Sequence, residues 1–515
     1  MVAALSAFCS ILAAVAVLAQ TGAYAQMVPV PEGRHQIRAQ PQRSEPSSST
    51  RPARPSRLLS RTRLLSMRLA VPSTARGSCS VEPATAADVS AILKVLGTSN
   101  STFAIRGGGH STAPGFSGSK GVTVAMFQFN EVTYNKATGI VKYGSGLVWD
   151  QVYKALEQYD VKVPGGRVTG VGVAGFTLGG GYSFITSQYG LATEGVVAYD
   201  FVTATGEVLY VTQKTYPDLF FLLKGGFNNA GVVTNFYVRA RPRATAWGGN
   251  LLLDGKYLDT VLNLTAQFGS EENTDALGAL LPAINAFLGV PVVAVQLFYD
   301  DPNGPPAGSF VKNIFDQLLA LPAVKHDVLA HRTMVDIVGA SPSNAIAGMR
   351  GTFSTVTLER LTPEILQTIK EEFKFWGTIA PLGAGIFVSY DLEPFVRQKR
   401  YPDASSTAWP HDKMQSPLFI IFAWPIGLSD IIFYDAIHKS TKKIRAAATA
   451  QGQNLDGLYP YPNYALYDTP LKDVYGPNVA RLTQIAAKYD PSKVMTRAGG
   501  FLFARGQNTY SVYGP

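Results

Sequence analysis

Cysteine is almost missing from this chain: among 515 residues only Cys9 and Cys79 carry a thiol. Cys9 lies in an apolar stretch at the start, so a chain without that stretch keeps one cysteine and cannot close an internal disulfide. The same scarcity excludes zinc and iron–sulfur centres built on cysteine clusters, and no metal is expected. Charged residues are sparse as well, at 16% against 46% hydrophobic. That balance belongs to a globular chain able to bury a large core, in two or three domains at this length. After residue 25 no apolar run is long enough to span a bilayer, so stable membrane insertion is not expected. Histidine is scarce too, with six in all, so one in an unusual setting stands out.

The formal charge of +9 is local. Between Gln26 and Arg76 stand ten arginines, no lysine and only two acids, Glu32 and Glu45, which leaves the chain from residue 77 onward close to neutral. No nucleic-acid partner is therefore expected for the globular part. The 26–76 stretch, rich in Pro, Ser and Arg, has the composition of a disordered segment. Residues 1–25, MVAALSAFCSILAAVAVLAQTGAYA, contain no charged side chain and end in Ala23-Tyr24-Ala25. This predicts a signal peptide cleaved before Gln26 and a secreted protein. Two sequons, at Asn100 and Asn263, would be glycosylated if they lie on exposed loops.

Order is predicted to begin near Ser80. Thr85 caps a helix in which Val89, Ile92, Leu93 and Leu96 recur at helical spacing and which Gly97 ends. The strand TFAI then runs into RGGGHS. Further on, WDQVYKALEQYD forms a helix burying Trp149, Val152, Tyr153 and Leu156, and VVAYDFVTATGEVLYV forms a hairpin turning at Thr205-Gly206. Pro217 to Leu223 reads as a short helix, and VVTNFYVRARP as a strand leaving the unit. From about Ala244 the texture changes to strands such as PVVAVQLFYD and FIIFAWPIG, mixed with amphipathic helices such as LTPEILQTIKEEFKFWG. The expected divisions are 77–243, 244–456 and a tail from 457 to 515.

Three glycine clusters carry the chemistry. In RGGGHS, consecutive glycines after a strand let backbone N–H groups approach an anion, with Arg106 adding charge. Alone, the hexapeptide fits a phosphate cradle and a tight turn with a surface histidine equally well. The second cluster, GGRVTGVGVAGFTLGGGYSF (165–184), contains GVGVAG, which matches the GxGxxG pattern. A dinucleotide fingerprint needs an uninterrupted helix after it, and Gly179-Gly180-Gly181 forbids one. Glu194 therefore carries no ribose-binding role by that rule. The third cluster is KGGFNNAGVVT (224–234). Three clusters in one unit point to an extended ligand wrapped mostly by backbone, such as a dinucleotide.

With these motifs in place, residues 79–243 resemble the FAD-binding domain of the vanillyl-alcohol-oxidase superfamily, in its fungal berberine-bridge-enzyme-like branch. The resemblance rests on RGGGHS, on VPGGRVTGVGVAG through FTLGGGYSF, on YGLATEGV, on LLKGGFNNAGVVT and on the tail YPYPNYALYDTPLKDVYGPNVARLTQIAAKYDP. It implies an α+β fold, with a two-part PCMH-type FAD domain and a substrate domain whose antiparallel sheet is covered by helices. It also implies an ordered element before Cys79, where this chain has its arginine-rich segment.

For the site, the resemblance implies FAD attached covalently through His110. Arg106, Gly107, Gly108 and Gly109 would cradle the pyrophosphate, with Ser111, Gly175, Gly180 and Val233 also facing the cofactor. Val168 stands where some relatives carry a second linking cysteine, so one link is expected. Asn463 would lie near the isoalloxazine, with Tyr464 or Tyr461 as catalytic base. A tyrosine is a poor base at its free pKa of roughly 10, so it needs a cation or carboxylate beside it. The implied reaction passes a hydride from an alcohol or amine carbon of a small secondary metabolite to flavin N5, with O2 as acceptor and hydrogen peroxide as product. Two alternatives stand beside it. One is a carbohydrate oxidase, disfavoured by Val168; the other is a flavin-binding protein with little turnover, suggested by Leu466 where many relatives have aspartate.

Overall fold

The computed structural model describes residues 79–341, 348–396, 406–412 and 415–505. The expected signal peptide and the arginine-rich segment lie outside them. Thr85 caps the first helix, Ala86–Thr98, as its sequence predicts: its hydroxyl accepts the Asp88 N–H at 3.1 Å while the Asp88 carboxylate accepts the Thr85 N–H at 2.9 Å. Val89, Leu93 and Leu96 are buried. Gly97 does not end the helix, which runs one residue further and is capped by Ser99; Gly97 packs instead toward Val494 of the tail.

Two sheets organise residues 79–239. The smaller is parallel, in the order Cys79–Val81, Val122–Ala125, Phe103–Arg106. The larger is antiparallel, in the order Val132–Asn135, Ile140–Gly144, Gly231–Arg239, Val196–Thr203, Val208–Val211. The predicted hairpin between its last two strands turns at Gly206, whose φ of 86° no branched side chain would favour. The helix Trp149–Leu156 buries Trp149, Val152, Tyr153 and Leu156 as its periodicity requires.

Residues 245–424 supply a seven-stranded, wholly antiparallel sheet. Its order is Ala323–Thr333, Thr245–Asp254, Val290–Tyr299, Gly278–Phe287, Phe387–Leu392, Ser416–Trp424, Arg350–Leu358. Alternate residues point to opposite faces. One face, including Leu251, Val295, Tyr390 and Phe422, forms a core with the helices Leu258–Phe268, Phe310–Leu319, Pro363–Ile379 and Asp430–Ala450. The other face, including Gln296 and Phe298, meets the flavin-side unit: Gln296 donates to the Arg167 carbonyl at 3.2 Å and Phe298 stacks on Phe184. The tail folds back onto the first unit, where Leu471, Val474, Tyr475 and Leu482 join the core of Trp149, Tyr199 and Phe236. Among the described residues no helix is long and apolar enough to cross a membrane.

A buried ion pair helps to fasten the two sheet units. Lys162, in a short strand paired with Arg241–Pro242, meets Asp300 at the end of the Val290–Tyr299 strand. Their side chains are 2% and 7% exposed, and Gln188 donates to the second Asp300 oxygen at 2.9 Å. Neither charge can return to water while the other stays. Lys162→Met should therefore destabilise the protein by about 3–5 kcal/mol, because it strands a buried carboxylate. Chemical denaturation of the two proteins side by side measures this, and an unchanged midpoint would show that the pair does not fasten the units.

Candidate active site

The first two glycine clusters meet backbone to backbone. A Cβ placed on Gly108 would lie 2.5 Å from the Gly172 Cα, and one placed on Gly172 would lie 2.5 Å from the Gly108 nitrogen. Such approaches exclude any side chain at either position. The 170–173 segment is held to 147–149 by Trp149 N–H to Val171 O and Val173 N–H to Leu147 O, both 3.0 Å. Asp150 fixes the preceding turn by accepting from the Gly170 N–H at 2.8 Å. Gly107 sits over the Ser145 carbonyl, and Arg106 folds back so that its guanidinium fills the space beside Gly109, whose φ is 74°. As predicted from Gly179-Gly180-Gly181, the helix opened by GVGVAG stops at once, spanning only Val173–Leu178.

His110 leaves this junction with its Nε2 shielded from solvent and without a protein partner. Burial pushes the imidazole down to about 4, so the ring is neutral near pH 7 and keeps a nucleophilic lone pair. Ser145 Oγ, beside Gly107, is likewise shielded and unpartnered, and Gly175 faces open space. A polar partner, room and a neutral imidazole along one seam are what a flavin dinucleotide needs, and the residues present fit FAD. Arg106 to Gly109 and Gly175 would hold it, with His110 at the ring end.

The tail supplies Asn463 and both tyrosines. Asn463 lies over Gly179 and donates to the Phe176 carbonyl at 3.0 Å and to the Tyr461 hydroxyl at 2.8 Å. The Tyr461 oxygen also accepts the N–H groups of Gly181 and Tyr182, at 2.9 and 3.3 Å. Burial outweighs these donors and pushes the phenol up to about 12. With three N–H groups on its oxygen, Tyr461 pins the glycine loop. Tyr464 has different company: its hydroxyl donates to Glu393 Oε1 at 2.9 Å and accepts from Arg167 Nη2 at 2.7 Å, while Arg167 and Glu393 pair directly at 2.7 Å. Burial, and then the Glu393 charge, hold this phenol far above its ordinary range against the pull of Arg167.

Glu393, Arg167 and Asp391 were not singled out from sequence. Arg167 Nη1 and Glu393 Oε2 are buried without a protein partner, so the triad keeps one free donor and one free acceptor. Asp391 stands two residues before Glu393 and takes a hydrogen bond from Ser389. Burial pushes its carboxyl up to about 7, with Glu393 adding to the rise and Arg167 and Ser389 opposing it. Across the sheet, Phe353 packs edge-on against Phe419, which stacks on Tyr464 at 4.0 Å between centroids; the His110 and Phe353 rings are 6.4 Å apart. An aromatic wall thus leads from the expected flavin link to the carboxylates.

The other predicted residues are placed unevenly. Ser111 accepts from the Ala113 N–H at 3.2 Å, Gly180 packs on the Tyr461 ring, and Val233 is buried in the first core. The third glycine cluster serves the chain itself: Gly225 lies against Trp409, and Asn229 donates to Gly226 O and Phe501 O while accepting from the Phe503 N–H. Glu194 is buried, accepting from the Leu191 N–H and facing His411 at 3.3 Å. Val168 is half-buried, and Leu466 sits in the core of the second unit. Asn100 is exposed on a loop. Asn263 is exposed on the Leu258–Phe268 helix, where Thr265 of the same sequon is fully buried.

Comparison with known proteins shows the kind of protein this is. Residues 78–212 match a family described as FAD binding domain. The FAD-dependent monooxygenase drtC of Aspergillus calidoustus is 31% identical over 459 residues, 84% of each chain. Among solved structures, BBE-like 1 of Physcomitrella patens superposes with a TM-score of 0.70 at 21% identity, covering 86% of this chain and 95% of that one. The xylooligosaccharide oxidase of Myceliophthora thermophila does so with a TM-score of 0.65 at 18% identity, covering 86% and 95%. The fold and site are those of an FAD-dependent oxidoreductase. Within that class the chain belongs to the family of fungal FAD-linked enzymes that includes drtC, and it shares its fold with berberine bridge enzyme, at a TM-score of 0.63 and 16% identity.

Two glycine variants separate the scaffold from the cofactor seam. Gly108→Ala should unfold earlier even without flavin, because the two loops can no longer touch. Gly175→Ala should leave apoprotein melting unchanged and lower flavin content after purification, read from visible absorbance. Equal behaviour of the two would show that Gly175 does not face the cofactor. Asp391 makes a pH prediction. A carboxyl raised from 3.8 to about 7 binds its proton more tightly folded than unfolded, so its contribution to stability is lost as pH rises through that window. Asp391→Asn should gain on the wild type progressively between those values, in melting temperature measured across pH, and a pH-independent difference would refute the shift.

Proposed function

We infer that this enzyme oxidises a small, flat alcohol or amine, a secondary metabolite with an aromatic or conjugated body, and that O2 is the electron acceptor. The observation that carries this reading is the Arg167–Glu393–Tyr464 triad at the end of the Phe353–Phe419 wall. Bound FAD supplies a two-electron hydride acceptor. The chain's own residues handle the proton. As the substrate O–H or N–H gives its proton to the Tyr464 oxygen, the Tyr464 proton passes along its hydrogen bond to Glu393. Tyr464 need never ionise first, which resolves the mismatch of a high phenol pKa. Arg167 pairs with Glu393 and orients Tyr464, and the aromatic wall excludes water on one side.

His110 as the single covalent attachment point is supported by its neutral, unpartnered ring and by Val168 at the second linking position. Secretion is supported by the uncharged 1–25 stretch, and sequencing the amino terminus of the protein from its native culture would test cleavage before Gln26. A monooxygenase reading is favoured by the description of the 31% identical relative. Isotopic oxygen separates the two: an oxidase releases the label as peroxide, whereas a monooxygenase places an atom in the product.

The deciding experiment is a panel of phenolic alcohols, alkaloid-like amines and sugars assayed for peroxide. Turnover is expected with the first two classes. Glu393→Gln should lower kcat by roughly 10²-fold or more, with a smaller change in KM. Turnover of sugars alone would establish the carbohydrate oxidase, and no turnover by flavin-loaded protein would favour the binding protein. Acid-precipitated wild type should keep yellow colour in the pellet, and His110→Ala should release it; colour lost from the wild type rules out the covalent link.

A further inference from the structure

The surface of the seven-stranded unit carries an unusual concentration of exposed aliphatic side chains. Leu428 is 90% exposed and Leu382 88%, the highest values of any large hydrophobic residue described. They occupy two adjacent 3-10 turns, Gly427–Ser429 and Ala380–Gly383, tied together by the Ser429 hydroxyl donating to the Gly383 carbonyl at 2.8 Å. Ile431 and Ile432 follow in the first turn of the Asp430–Ala450 helix, and the Ile432 side chain comes within 3.5 Å of where a Cβ on Gly383 would stand. The hairpin tip with Leu288 and Val290 adjoins the same turn, since Gly289 faces Gly377 and Pro381. With Ile426, seven of the fifteen exposed large hydrophobics among the described residues lie on these three touching segments, so their grouping is not scatter.

Two quantities say what covers this face. Together these seven residues expose on the order of 700 Å², more than a monomer ordinarily leaves in one patch and close to the area one side of a standard interface buries. Charge is the second. Segments 286–299 and 376–390 contain no charged residue, and 425–434 contains only Asp430, which Arg350 engages through both carboxylate oxygens. A lipid surface calls for basic residues around an apolar face, and these segments offer none. A charge-free apolar face matches another of its own kind, as a two-fold interface requires.

We propose that a second copy of this chain covers this face and that the enzyme is a two-fold homodimer joined through the Leu382 and Leu428 turns. The two turns continue the Pro363–Ile379 and Asp430–Ala450 helices, which pack on one face of the seven-stranded sheet, while Gln296 points from the other face toward Arg167.

Sedimentation velocity of the flavin-loaded full chain, over a hundredfold range of concentration, tests the proposal. The wild type should sediment as a dimer that dissociates on dilution. Leu428→Asp and the double variant Leu382→Asp/Leu428→Asp should raise the dissociation constant by about tenfold or more while flavin absorbance and melting temperature stay at wild-type values. A wild type that is monomeric throughout overturns the proposal, as does a double variant that dimerises as tightly as the wild type. Monomeric wild type that co-sediments with phosphatidylcholine–phosphatidylserine vesicles would assign the face to membrane instead.

Discussion

Everything at this site depends on one buried ion pair. Arg167 comes from the glycine-rich loop of the first unit, Glu393 from just beyond a strand of the second, and Tyr464 from the returning tail, so three distant parts of the chain converge on a single guanidinium–carboxylate contact. Removing two charges from water is unfavourable unless their remaining hydrogen-bonding capacity is met. Tyr464 meets part of it, the Gln296 bond to the Arg167 carbonyl fixes the loop, and one nitrogen and one oxygen stay free for a ligand. The arrangement that joins the domains is therefore also the one that leaves the site reactive.

Two tyrosines three residues apart show how environment divides one side chain into two roles. Tyr461 and Tyr464 lie on the same short turn and are both kept protonated by burial. Tyr461 faces only N–H donors, which have no basic site to receive its proton. Tyr464 faces a carboxylate, which has. From sequence Tyr464 stood first with Tyr461 as its alternative; the partners distinguish their surroundings, Arg167 lying 297 residues from Tyr464, Glu393 71 from it and Gly181 280 from Tyr461.

Much of the scaffold could be read from local signals. The capping box at Thr85, the hairpin at Gly206, the buried face of the Trp149 helix and the truncated helix after GVGVAG each follow from short-range stereochemistry. The RGGGHS loop was recognised as a junction, though its middle glycine is required by Gly172 as much as by a ligand. The third cluster receives the tail, through Asn229 to Phe501 and Phe503, and short sequence does not tell glycines and asparagines in that role from those that face a cofactor. Glu393 escaped because a carboxylate past a strand end has no local signature. A weaker signal was present: in VSYDLE, polar residues at 389, 391 and 393 alternate with Tyr390 and Leu392, the pattern of a strand with core on one side and a polar chamber on the other.

The returning tail has a temporal consequence. Domains fold as units while the chain is being made, and every described strand of this protein is complete in sequence before the ribosome reaches Tyr461. A nascent chain that has not reached Tyr461 has no hydroxyl to pin the glycine loop, and its first core still lacks Leu471, Val474, Tyr475 and Leu482. The site is complete only with the final stretch of synthesis, so a chain interrupted shortly before that point would leave Arg167 and Glu393 without the Tyr464 hydroxyl that bonds to both.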